Sequence, residues 1–435
     1  MRFWKKVIRE NEYGALMQLC LCMVIIVIVL WGMNYMGLLV WISSIVSVML
    51  IGAGSILFIW HLGRMNLTAD QVMIVFTGYL IRVAVMLIDI FASDYITVMH
   101  SGSDALGFWK ASGELYTTGT TEIDSSYAQL LSGFYHVIGQ NRVLAQYINI
   151  LFFAGTVFVV LYTCRKFCVE KKYVTWVLLF LCFLPNYIVI SSILLRESSM
   201  VFFDAFSFYL FLCWMENNRT EYMLAAFLVA TPAIILHSGA MGMWVGFFLV
   251  GSFWNAGKQK KGITWITVCL IVLVMAGITV IELIPELRDL LMVYFPSELT
   301  IESITGRYFV PGGSDYLMDL EVHTWGGVAI WTVIRMIYFV LSPVPMDWRG
   351  LGDAAAFFID SLPVLVILCG IMKEIHNNRN KPWIFSGLAA CLAVCAIFAW
   401  GTSNAGTAMR HRAIIVGVYA MTYCVSKGKK YEKNI

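Results

Sequence analysis

Apolar runs recur along the whole chain, each near the length that an α-helix needs to cross a bilayer. They cover roughly 15–33, 37–60, 71–91, 143–164, 173–193, 199–215, 222–236, 239–254, 263–283, 354–372, 383–400 and 411–425. A hydrocarbon core of about 30 Å takes about 20 apolar residues at 1.5 Å each. No run has the period-two alternation of a strand. The pattern predicts an all-α polytopic integral membrane protein of about twelve transmembrane helices, read as one transmembrane domain over 1–435. The stretch 222–254 is one long apolar run. We divide it at His237-Ser238-Gly239, because Arg219 on one side and Lys258, Lys260 and Lys261 on the other both ask for the same side of the membrane.

Orientation follows from the Lys and Arg bias. With the N-terminus inside, the segments HLGR, RKFCVEKK, MENNR, NAGKQKK, KEIHNNRNK and SKGKKYEKN all fall in the cytoplasm, as does the C-terminus. The run 326–343, GGVAIWTVIRMIYFVLSP, is the exception. Counting it as a span would throw two basic segments outside, and Arg335 in its middle would be costly at the bilayer centre. It is therefore expected as an interfacial or re-entrant helix on the outer face. Two long outer segments remain: 92–142, with a surface helix, and about 284–353, with the interfacial helix.

Composition agrees with this picture and narrows it. The chain has 435 residues, 60% hydrophobic and only 13% charged, against about a quarter charged in soluble domains. No basic block suggests a nucleic-acid partner. The N-terminal MRFWKKVIRE leads into an apolar stretch with no small-residue cleavage site, so it reads as a retained first span. The eleven cysteines fall in predicted spans or at their cytoplasmic ends, so no disulfide framework is expected.

The chemistry is left to the outer segments. The run from Ala105 to Tyr116 is amphipathic and suits a helix on the membrane surface. Asp94 and Asp104 flank its approach, with Glu122 and Asp124 beyond. A carboxylate partly buried near lipid is suited to general base work, whereas Asp94, Glu122 and Asp124 read better as simply solvated acids. Asp89 and Asp94 are five apart and share no helix face, so they are not read as a pair. Removing the cytoplasmic clusters leaves Arg196, Arg307, Arg335, Arg349, Arg410 and Arg412 outside, against the positive-inside trend. A guanidinium is a planar fork suited to phosphate. Arg196 is followed by Glu197, which offers it a simple partner. Arg410, His411 and Arg412 follow a Gly- and Asn-bearing turn, and either anchor a lipid headgroup or bind a lipid-linked phosphate. His237 sits at an outer turn. Arg82 lies inside the third span, too far along the axis from Asp89 for a close pair, and is expected to be satisfied by another span.

No phosphate-binding loop, HExxH, GxSxG or dinucleotide fingerprint is present, and the inner segments are too short for a nucleotide-sugar domain. The stretches SGSDALGFWKASGELYTTG and SSYAQLLSGFYHVIGQNRVLAQYINIL resemble the first outer loop and next span of lipid-dependent GT-C type membrane glycosyltransferases, the protein mannosyltransferase and aminoarabinose transferase relatives. LPNYIVISSILLRESSMVFF and NAGTAMRHR are similar to segments of bacterial membrane proteins from surface-polysaccharide gene sets. The family's acidic pair is reduced here to Asp104-Ala105, with Phe108 and Ala111 following.

The resemblance implies a GT-C-like fold in a bacterial cytoplasmic membrane and a polyprenyl-phosphate-linked sugar as donor. A glycan or lipid-linked acceptor would come from the outer side, with membrane lipid as the surrounding partner. Asp104 is implied as catalytic base, and arginines as holders of the donor phosphate and its leaving-group charge. From the residues, the substrate-binding candidates are Arg196, Glu197, Arg410, His411, Arg412, Arg307, Arg335, Asp94 and His237. No cofactor is assigned, and a divalent metal is left open. The nearest alternative is an oligosaccharide repeat-unit polymerase, which needs a similar lipid-phosphate site and a larger cavity. A lipid-linked glycan transporter or flippase would instead place polar groups at the midplane, often in inverted repeats, and the chain shows neither. A membrane acyltransferase built on His237 or His411 is weaker still.

Overall fold

The computed structural model describes residues 41–258 apart from 124, and residues 300–305, 313–318, 320–375 and 381–429. Among them the chain is helical, with only the isolated bridges Val169–Gly428 and Asp315–Asn404. The protein is an all-α membrane protein. Among the described residues, five helical stretches are long and apolar enough to cross a bilayer: Ala69–Phe91, Arg142–Lys166, Glu197–Asn217, Leu351–Ile375 and Lys381–Trp400. Shorter apolar helices include Thr220–Leu236 and Trp325–Leu341. The expected runs at 15–33 and 263–283 lie outside the described residues, as does Arg307.

The chain divides into two compact units. The first comprises Met1–Tyr162 and Lys171–Phe202, the second Thr163–Glu170 and Phe203–Ile435. In the first unit, α1 (Trp41–Gly63) and α2 (Ala69–Phe91) precede α3 (Leu106–Thr118) and α4 (Ser126–Ile138). Then come α5 (Arg142–Lys166), α6 (Lys171–Phe183) and α7 (Pro185–Ile190). Thr68 starts α2 with a capping box: its hydroxyl accepts from Gln71 N, and the Gln71 side chain accepts from Thr68 N. In the apolar interior, the hydroxyls of Ser55, Tyr79 and Tyr147 bond one another at 2.7–3.2 Å and tie α1, α2 and α5 together. Gly78 lets α2 approach α6 closely, since an added Cβ there would lie 2.7 Å from Cys182 Cβ.

The run 173–193 was expected as one span, and the structure breaks it at Pro185. Leu184 takes an extended ψ of 114°, the conformation that a following proline imposes. Pro185 also has no N–H to give to Leu181 O. The freed carbonyls are taken by the fully buried Arg82, which donates to Leu181 O (3.2 Å) and Cys182 O (2.9 Å), and to Ser191 Oγ (2.7 Å). The break and the intramembrane arginine therefore satisfy each other, without a carboxylate.

The second unit carries the rest of α8 (Glu197–Asn217), α9 (Thr220–Leu236), α10 (Gly242–Lys258) and α11 (Ile301–Thr305). It continues through α12 (Trp325–Leu341), α13 (Leu351–Ala356), α14 (Leu362–Ile375), α15 (Lys381–Trp400), α16 (Ala405–Arg412) and α17 (Val416–Ser426). The 222–254 run breaks at His237, where a 3-10 turn over Ser238–Met241 separates α9 from α10. Gly242 and Gly246, one turn apart, set α10 directly on the backbone of α15 at Val394 and Ala390. Small residues at such a seam let two helices meet at van der Waals distance where lipid offers no hydrophobic drive.

Candidate functional site

In the first unit, the segment after α2 is anchored by Asp89. Its carboxylate accepts from Arg142 Nη2 (2.9 Å), Gln146 Nε2 (2.7 Å) and the Ser101 hydroxyl. Arg142 and Gln146 are four apart on α5 and so reach it from one helix face. Asp89 is 1% exposed. A buried carboxylate is stable there because it accepts several charge-assisted bonds. Ser101 opens a π-helical turn, Ser101–Ala105, that carries Asp104 into the start of α3. Asp104 is exposed on this turn, and Asp94 is exposed on the loop before it. The protein itself does not bury Asp104, so any desolvation of that carboxylate has to come from lipid or substrate.

Helices α3 and α4 pack through aromatic rings, Phe108 on Tyr127 (5.1 Å) and Trp109 on Tyr135 (5.7 Å). Burial pushes the Tyr127 phenol well above its ordinary value and the Tyr135 phenol up to about 12, so both keep their protons. Arg196 brings a cation to this layer: its guanidinium carbon lies 5.8 Å from the centre of the Phe108 ring. Glu197, the next residue, starts α8 fully buried. The turn at 193–195 that presents Arg196 is pinned by Asn149, which donates to Ile193 O (2.6 Å) and Leu195 O (2.8 Å). Thus Arg196 and the aromatic layer that follows the Asp104 turn lie in one unit.

The second unit gathers most of the other predicted residues. Asn404 caps α16 by accepting from Gly406 N and Thr407 N. The basic triplet was expected to follow a turn, as a cluster at the membrane surface. It lies instead in the last turn of α16, with Arg410, His411 and Arg412 at 7%, 7% and 2% exposure. Cations favour a helix C-terminus through the macrodipole. Arg412 donates to Val340 O (2.9 Å) and Ser342 O (2.6 Å), carbonyls at the end of α12, and pairs with the buried carboxylate of Asp360. Arg335 does the same for α15, donating to Ala399 O (2.9 Å) and Thr402 O (3.2 Å). These two guanidinium groups thus occupy carbonyls that a helix end leaves open. His237 and His411, far apart in sequence, meet edge to face with ring centres 4.9 Å apart, beside Phe398. Among the described residues no group of three His, Cys, Asp or Glu side chains is placed to hold a metal ion.

Reading the sequence missed three acids. Asp89 was set aside as unpaired, and Asp360 and Asp204 lie in predicted spans without having drawn attention. The signal was available, since a charge inside an apolar run is functional or paired by default. Asp204 is fully buried on α8, and neither carboxyl oxygen has a hydrogen-bond partner among the described residues.

Residues 120–287 match a family model of GT-C type glycosyltransferases, so this stretch is similar to a membrane glycosyltransferase domain. The family is described as dolichyl-phosphate-mannose-protein mannosyltransferase. The match contains Arg196, Glu197 and His237; Asp94 and Asp104 precede it, and Arg307, Arg335 and the Arg410–Arg412 triplet follow it. No curated relative matches the chain.

Proposed function

We propose that this glycosyltransferase moves a sugar from a polyprenyl-phosphate donor to an acceptor hydroxyl on the outer face of a bacterial cytoplasmic membrane, in surface glycan assembly, with both chain termini in the cytoplasm. The observation that carries the reading is the family match over 120–287, whose Arg196 shares a unit with the Asp104 turn. The Asp104 carboxylate takes the proton of the acceptor hydroxyl as its oxygen attacks the anomeric carbon. The bond from that carbon to the phosphate oxygen breaks, and the polyprenyl phosphate leaves with the negative charge. Arg196 is suited to that charge because a guanidinium donates two parallel bonds to phosphate. Within the second unit, Arg410 is a separate phosphate-binding candidate. Arg412 ties the α16 terminus that carries Arg410 and His411 to the end of α12, and Arg335 holds the end of α15. Glu197, Asp94, His237, His411 and Arg307 complete the proposed substrate contacts. The 92–142 and 284–353 segments are read as the outer loops that admit the acceptor.

The reading is tested with the purified chain in liposomes, offered radiolabelled mannose either as the polyprenyl monophosphate or as the nucleotide sugar. Transfer to a glycan or lipid-linked acceptor is expected from the lipid donor and not from the nucleotide. Equal use of both donors, or no transfer from the lipid donor, contradicts it. A product one sugar longer supports transfer, whereas a ladder of repeat units points to the polymerase alternative.

A further inference from the structure

At one end of the first unit the chain turns from α1 into α2, and α6 begins beside that turn. Gln71 joins the two: its Nε2 donates to Lys171 O (2.9 Å) and to Thr175 Oγ1 (3.1 Å), tying the first turns of α2 and α6 together. His61 fastens the end of α1 to α5 through a 2.7 Å bond between its Nε2 and the Tyr162 hydroxyl. None of the residues assigned to sugar transfer lies in these turns.

The surface of α1 is apolar along its length and cationic at this end. Met49, Ala53, Leu57 and Trp60 recur at intervals of three and four, so they share one helix face, and all are exposed. Arg64 is the next residue of that series. Its guanidinium lies on the exposed Trp60 indole, 3.7 Å from the ring centre. The flat face of the guanidinium is thereby taken and its edge is open. Its N–H groups donate to no acceptor among the described residues. Helix α6 repeats the order: Lys172 and Trp176, four apart, are both exposed, the indole at 64%. In each helix the cation stands about 6 Å nearer the end of the unit than the indole does.

These two features select the ligand together. The charged side chains of the turns are Arg64, Lys171 and Lys172 against Asp70 alone, all of them exposed. The excess is positive, and the edge of a guanidinium donates two parallel bonds to a phosphate. Exposed tryptophans mark the headgroup level of a bilayer, and the α1 stripe below Trp60 suits acyl chains. A free inorganic anion would use the cations and leave the stripe uncovered. A zwitterionic lipid would cover the stripe and leave the excess charge unmet. We propose that this end of the first unit binds an anionic phospholipid of the leaflet that the basic segments assign to the cytoplasm. The lipid phosphate meets the open edge of Arg64, Lys171 and Lys172 add attraction to its negative head, and a chain follows the stripe from Trp60 toward Met49.

The full chain in detergent is titrated with dioleoyl phosphatidylglycerol and with phosphatidylcholine of the same chains, and bound lipid is counted by native mass spectrometry. Wild type is expected to hold the anionic lipid at least about tenfold more tightly. Arg64→Gln weakens phosphatidylglycerol about fivefold, the worth of one charge at an anionic surface. Lys171→Gln with Lys172→Gln weakens it by at least as much, and phosphatidylcholine binding stays near wild type in both variants. The variants alter different helices, so poor folding of one leaves the other to decide. Added inorganic phosphate is expected to leave the lipid bound. Equal binding of the two lipids by wild type, an anionic preference that both variants keep, or displacement of the lipid by inorganic phosphate overturns the proposal. Each of those failures leaves the transferase reading as it stands, because no residue assigned to transfer takes part.

Discussion

The two units share one device, a buried arginine on open carbonyls (Arg82 in the first, Arg335 and Arg412 in the second), and differ in how they treat their carboxylates. In the first, a buried acid, Asp89, collects Arg142, Gln146 and Ser101, while a second acid, Asp104, stands exposed on the turn that Ser101 opens. In the second, arginines are buried and a single carboxylate, Asp360, pairs with Arg412, while the remaining bonds of Arg335 and Arg412 go to carbonyls at helix ends. The first arrangement fixes a scaffold and leaves a carboxylate exposed at its edge. The second puts positive charge where water is excluded and electrostatic interactions are strongest.

That contrast can be broken from either side. The largest structural effect is expected from Asp360→Ala, which leaves the Arg412 guanidinium buried without its carboxylate. Removing one member of a buried ion pair costs about 3–5 kcal/mol, so a marked drop in thermal midpoint in detergent is expected, and an unchanged midpoint removes the pair from the account. Asp89→Ala comes next. It deprives Arg142 and Gln146 of a shared acceptor, at roughly 2–3 kcal/mol for bonds to a charged group. Proteolysis within 92–105 should accelerate, because Asp89 ties Ser101 to α5; equal cleavage in both proteins would deny it that role. Asn404→Ala is the mildest. It removes the cap of α16 for about 1 kcal/mol, and hydrogen exchange should quicken in the first turn of that helix while α12 is unaffected.

Much of the scaffold was readable in the residues, because a lipid solvent leaves few alternatives to long apolar helices. The spans at 71–91, 143–164, 199–215 and 383–400 stand within a few residues of the helices found, and the His237 break and the helix after Ala105 are where the pattern put them. The break at Pro185 was also signalled, by the proline itself, but hydropathy averages over a single residue. The site was less legible. Asp360 and Arg412, or Asp89 and Arg142, meet only because distant helices pack together, and no local pattern encodes such a meeting. The depth of Arg410–Arg412 was hidden for a similar reason: the triplet reads as surface charge until the end of α12 supplies carbonyls for Arg412.

The central claim is that the Asp104 carboxylate removes the acceptor proton. Single-turnover transfer from a polyprenyl-phosphate sugar by Asp104→Asn tests it most directly, because the substitution removes the basic oxygen and keeps the size of the side chain. A positioned base contributes about 10²–10⁴-fold, so the account predicts a rate lower by at least a hundredfold with donor binding retained. A variant that transfers sugar at the wild-type rate would contradict it.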